Sequence, residues 1–103
     1  KALRAPMVIV GIASYQSHPK VPEIEQSMSA AVGMGYLLLA LESAGFGGMW
    51  RTGAMAHDPA IKRGLGLQDN EIITGFLYTG SVSANKPSIP RPEPKEFVRR
   101  WPH

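Results

Sequence analysis

The chain has 103 residues, 44% of them hydrophobic, a length that allows one domain with a modest core. It contains no cysteine, which excludes disulfides, thiolate nucleophiles, Cys-ligated zinc and thiol redox chemistry, so any redox function requires a bound cofactor. The net charge of +3 comes from scattered basic residues whose densest group is Lys95, Arg99 and Arg100, which reads as a solvated tail rather than a nucleic-acid patch.

Residues 6–14, PMVIVGIAS, form a nearly continuous apolar and β-rich run. Such a run predicts a central strand covered on both faces. It is too short to cross a bilayer and lacks the cleavage site of a secretory signal, so a soluble, cytoplasmic protein is expected. The chain starts at Lys1 and enters this strand almost at once, which suggests a portion of a longer protein. Residues 15–22 hold two prolines and a histidine and read as a loop, with Pro22 at the start of a helix. That helix should run over residues 23–44, with Glu23 and Glu25 favourably placed in its first turn and Gly45 as a left-handed C-terminal residue. Its middle is apolar almost all round, and a helix without a polar face must be buried on every side. The remaining elements are too few to cover it. Small residues at Ser29, Ala30, Gly33 and Gly35 would let another helix approach, so the helix is expected in a core shared with a further segment or a second subunit. The core helix of one larger domain is the plainer alternative.

A second strand is predicted over residues 46–51, followed by a short helix with Asp58 as N-cap and Pro59 in its first position, closed by Gly64 or Gly66. Residues 71–79, EIITGFLYT, form a third buried strand in which Gly75 marks a bulge or a close backbone approach. Residues 80–94 should run over the surface as a Pro-rich arm, and residues 95–101 should form a helical turn that docks Phe97 and Trp101. The order strand, helix, strand, helix, strand argues for a layered α/β or α+β domain spanning residues 1–103.

The glycine-rich stretch at residues 44–54, AGFGGMWRTGA, is the most informative part of the chain. A dinucleotide fingerprint places its glycines after a strand and before a helix, and here that order is reversed. No Gly-Lys-Ser/Thr of a phosphate-binding loop is present either. Motif logic alone favours a helix end and a tight turn. The consecutive residues Trp50, Arg51, Thr52 and Gly53 nevertheless place an aromatic ring, a fixed cation, a hydroxyl and an unhindered amide at a strand end. A planar electron-poor ring needs donors of this kind, and a cation stabilises the charge that develops on its reduction. The rival reading is a core Trp beside a surface Arg. His18, Glu23 and Glu25 lack a fixed ligand spacing, so no metal site is assigned, and no serine sits in a G-x-S-x-G elbow. Met28, Met34, Met49 and Met55 are read as fillers of core gaps.

Four motifs in order, Arg4-Ala5-Pro6, His18-x-Lys20-Val21-Pro22-x-x-Glu25-Gln26, the run GFGGMWRTG at residues 45–53, and Gly75-Phe76-Leu77-Tyr78-x-Gly80, resemble the YdjA-type subgroup of the nitroreductase family. The resemblance covers almost the whole chain and matches the C-terminal half of that family's domain. It implies an α+β, three-layer fold with a central mixed sheet and a long buried helix. It further implies an obligate homodimer with FMN at the subunit interface, an oxidoreductase that takes electrons from NADH or NADPH and passes them to a nitroaromatic, a quinone or a similar acceptor. The flavin carries that chemistry, so no catalytic side chain is assigned. The family's flavin contact falls on Trp50, Arg51, Thr52 and Gly53, and a complementary N-terminal segment is expected to supply the rest of the site. A pyridine-nucleotide contact is also placed by the family near residues 40–45, a helix end expected to be buried here. A non-catalytic half-domain that serves only in association is the alternative from a different functional class.

Overall fold

The computed structural model describes residues 5–82 and 89–102. Arg4 of the first motif, residues 83–88 of the expected arm and His103 lie outside the described residues. The elements are strand β1 (Met7–Ser14), helix α1 (Glu23–Ser43), strand β2 (Phe46–Arg51), a 3-10 turn (Ala54–His57), helix α2 (Pro59–Gly64), strand β3 (Glu71–Ser81) and a second 3-10 turn (Pro94–Glu96). The fold class is α+β, as expected.

The sheet order is β1-β3-β2, and both ladders are antiparallel. β1 and β2 therefore run in the same direction on either side of β3, linked by α1 as a crossover. A mixed sheet was expected, but no parallel ladder forms among the described residues, because β3 inserts between the two strands that share a direction. The sequence reading also placed the residue 6–14 strand at the centre. In the structure that place belongs to β3, whose Ile73, Phe76, Leu77 and Thr79 are buried, with Leu77 fully so. A continuous apolar run says nothing about which strand has two neighbours, and the expected cover on both faces is incomplete here, since Met7 and Ile12 are exposed. β3 continues through Ser81, so the arm starts later than residue 80.

Alternation along the strands sends side chains to two layers. On one face lies α1. Met34 of that helix fills the place a side chain at Gly11 would take, and Leu38 Cδ1 would lie 2.7 Å from a Cβ at Gly48. The strand glycines thus let the helix seat closely. On the other face, Val8, Val10, Phe76 and Tyr78 look across a cleft of about 390 Å³ toward Ala60, Ile61 and Leu65 of the α2 segment. The three layers are α1, the sheet, and α2 with its preceding turn.

Local chemistry sets the element ends. Gly45 has φ +92 directly after α1, as the helix-end reading requires. The Asp58 carboxylate accepts from the Ala60 amide at 2.8 Å, and Pro59 opens α2. Gln26 makes three of the hydrogen bonds that hold residues 15–22. Gln26 Oε1 accepts from the Gln16 amide at 2.9 Å, while its Nε2 donates to the Gln16 and Val21 carbonyls, each at 3.0 Å. His18 is engaged locally, its Nδ1 accepting from the Lys20 amide at 3.0 Å.

Of the methionines expected to fill core gaps, Met34 is buried whereas Met28, Met49 and Met55 are exposed, and two further burial expectations differ from the structure. Within this chain α1 is covered on one side only: Met34 is its buried residue, while Ile24, Met28, Val32, Tyr36 and Leu39 are each more than half exposed. These five recur at intervals of four and three residues and form one apolar stripe facing away from the sheet. By length and composition α1 would also suit a membrane span, yet its opposite side packs on all three strands, as a core helix does. The second difference concerns the C-terminus, where Phe97 and Trp101 are 71% and 81% exposed. The turn forms at Pro94–Glu96, but both rings remain largely exposed rather than buried in the core.

Candidate functional site

β2 ends at Arg51, which pairs with Phe76 of β3, and the chain then leaves the sheet through Thr52 and Gly53 into the 3-10 turn. Gly53 has φ +76, a conformation that favours glycine, and nothing lies within 4 Å of a Cβ placed there. Thr52 and Gly53 are both exposed. Neither donates a backbone hydrogen bond to another described residue, whereas the Gly53 carbonyl accepts from Ala56 at 3.2 Å. The segment therefore presents free amide donors at the rim of the sheet.

The four residues singled out from the sequence are contiguous but do not face one way. Trp50 is half-buried on the α1 side, where its Nε1–H donates to the Thr74 carbonyl at 3.3 Å. Its ring lies over Gly75, in the space a side chain there would occupy. Arg51 is exposed on the opposite side, with its guanidinium carbon 5.9 Å from the centre of the Tyr78 ring, within reach of a cation–π contact. Strand alternation separates the two side chains. The core-Trp reading thus describes the Trp50 ring, and the donor reading describes Arg51, Thr52 and Gly53.

Thr74, Gly75 and Tyr78 join this neighbourhood without having been assigned to it from the sequence. The signal for Gly75 was available as a glycine inside a strand; that it accommodates Trp50 required the β2–β3 register. Three surface clefts lie nearby, and Tyr78 lines one of them. One of about 550 Å³ involves His57, Asp58, Lys62 and Arg63, and none of the three is lined by residues 50–53. The candidate segment is one open wall rather than a closed pocket. The α1 end at residues 42–45 is exposed, against the expectation that it would be buried.

As a test of fit, the free amides at Thr52 and Gly53 and the exposed Arg51 cation suit the acceptor-bearing edge of a flavin or an anionic group. The absence of any Cβ at Gly53 allows close approach. Trp50, with its indole N–H already committed to Thr74, is not free to offer that donor.

Comparison with known proteins agrees with this architecture. A profile of the Nitroreductase family matches residues 1–81. The chain is 38% identical over 96 residues to YdjA of Escherichia coli strain K12, which is named as a candidate NAD(P)H nitroreductase, and equally to YdjA of Escherichia coli O157:H7. Those alignments cover 92% of this chain and 52% of each relative, so the chain spans about half the length of the curated relatives it matches. The crystal structure of a nitroreductase-like family protein from Bacillus cereus superposes with a TM-score of 0.81 at 20% identity, over 98% of this chain and 54% of that one, and supports the fold. With the profile extending over most of the chain, this protein belongs to the nitroreductase family.

Proposed function

We propose that this chain forms part of an FMN-dependent oxidoreductase in which residues 51–53 contact the flavin. The observation that carries the reading is the exit of β2, where Arg51 is followed by two exposed residues with free backbone donors in a nitroreductase-family chain. When bound, FMN would supply the redox chemistry, receiving electrons from NAD(P)H for a nitroaromatic, a quinone or a similar acceptor. The protein's share is binding and electrostatics. Thr52 and Gly53 offer N–H groups to the acceptor edge of the ring, and Arg51 offers a positive charge that offsets the negative charge gained on reduction.

The apolar stripe on α1 supports a second element of the proposal. Five large apolar residues exposed on one helix face form a contiguous patch of the kind that marks an interaction surface. We assign their cover to a complementary N-terminal segment and a second subunit, giving a homodimer with FMN at the subunit interface, in the cytoplasm. The same stripe is what favours the alternative of a half-domain acting only in association.

The two readings part on flavin. Arg51→Ala, in the chain combined with its complementary segment, should weaken FMN binding about tenfold, equivalent to about 1.4 kcal/mol. Fluorescence quenching of FMN on titration measures this. An unchanged dissociation constant would remove Arg51 from the site, and failure of the unsubstituted protein to bind FMN would leave the association reading in its place.

A further inference from the structure

The β1–β3 ladder is irregular at one point. Gly11 pairs with Gly75 and Ile12 with Ile73, so Thr74 is an extra residue in β3. On the other edge of β3 the β2 ladder ends at the Arg51–Phe76 pair. The bulge therefore sits beside the place where the chain leaves the sheet toward Thr52 and Gly53.

Trp50 links the two. Its indole N–H donates to the Thr74 carbonyl at 3.3 Å, and its ring fills the position of a side chain at Gly75: a Cβ there would overlap Nε1 and come within 2.6 Å of Cδ1. Gly75 is buried and Trp50 half-buried, so a side chain at residue 75 would have to displace the indole ring. Both partners of the indole thus come from the irregular part of β3. Any residue other than glycine at this position would carry a side chain into that space, and bulges are a recognised means of re-aiming neighbouring groups. The arrangement has a local cost, since the Thr74 hydroxyl is buried without a hydrogen-bond partner among the described residues.

We propose that the bulge at Thr74 and Gly75 positions the flavin-contacting segment. It anchors the Trp50 ring on the α1 side, which fixes Arg51 on the opposite side above Tyr78 and sets the direction in which Thr52 and Gly53 leave the sheet. Thr74 and Gly75 are positioning residues that act through Trp50. The inference rests on the proposed role of residues 51–53.

The test uses two readouts. The chain has two tryptophans, so its nitrogen-labelled NMR spectrum has two indole signals, and Trp50→Phe identifies that of Trp50. Gly75→Ala should shift the Trp50 signal, speed its hydrogen exchange and move the amide signals of Arg51, Thr52 and Gly53, while the Ala60 amide in α2 stays in place. In the assembled protein the same variant should bind FMN at least tenfold more weakly and alter the visible absorption of what binds. If Gly75→Ala alone fails to fold, pairing it with Trp50→Leu opens the space; the double variant should fold and still bind FMN weakly. Unmoved indole and loop signals in Gly75→Ala would overturn the anchoring. Moved signals with unchanged FMN affinity would overturn its link to the cofactor. A protein that binds no FMN before substitution would instead remove the role of residues 51–53, and the indole signals would still decide the anchor.

Discussion

Replacing Gly33 and Gly35 by alanine separates the stability of α1 from its association. Both glycines lie inside the helix, and a Cβ at either meets nothing within 4 Å in this chain. Helical geometry puts Gly35 within the apolar stripe and Gly33 on the exposed surface beyond Tyr36, about 60° around the helix. A glycine in a helix interior costs about 0.5–1 kcal/mol relative to alanine, so the pair should stabilise the isolated chain by about 1–2 kcal/mol. At about 4–8 °C per kcal/mol for a domain of roughly this size, the melting temperature should rise by several degrees. If another helix covers the stripe closely, the two added methyl groups push it away, and association should weaken as stability rises. Thermal unfolding by circular dichroism and sedimentation of the same samples with the complementary segment give both numbers. A lowered melting temperature would mean that the glycines are already packed within the chain, and unchanged association would refute their place in the contact.

Two further substitutions probe the interior and the loop before α1. Leu77→Ala removes the fully buried side chain of the central strand and should destabilise the chain by about 2–5 kcal/mol in urea unfolding. Gln26→Ala deletes the three hydrogen bonds that hold residues 16 and 21; as these groups are partly solvated, a loss of about 1–2 kcal/mol is expected, read as faster exchange of the Gln16 amide.

Local chemistry was legible wherever a residue type has a conformational reason to be in its place. Asp58 before Pro59, Gly45 after α1 and the strand at residues 46–51 were readable because caps, left-handed turns and β-rich runs are decided within a few residues. Long-range pairing was not. Nothing in the apolar run of β1 says that β3 will be the central strand, and the exposure of Phe97 and Trp101 depends on whether the fold leaves a groove for them. The all-round apolar pattern of α1 predicts cover on every side, whereas within this chain the stripe from Ile24 to Leu39 is exposed. At the candidate site, residue types pick out Trp50, Arg51, Thr52 and Gly53, and the family resemblance implies a flavin contact there. Their division into an inward ring and an outward set of donors follows from strand alternation and from Gly75, whose part depends on register.

The central claim is that the exit of β2 is one wall of a flavin site. Its most direct measurement is equilibrium dialysis of the chain with its complementary segment against FMN, followed by an absorption spectrum and the rate of NAD(P)H oxidation with a nitroaromatic acceptor. The account predicts a yellow protein that retains FMN, oxidises NAD(P)H, and loses flavin affinity with Arg51→Ala. A folded, colourless protein that neither retains FMN nor oxidises NAD(P)H would contradict it.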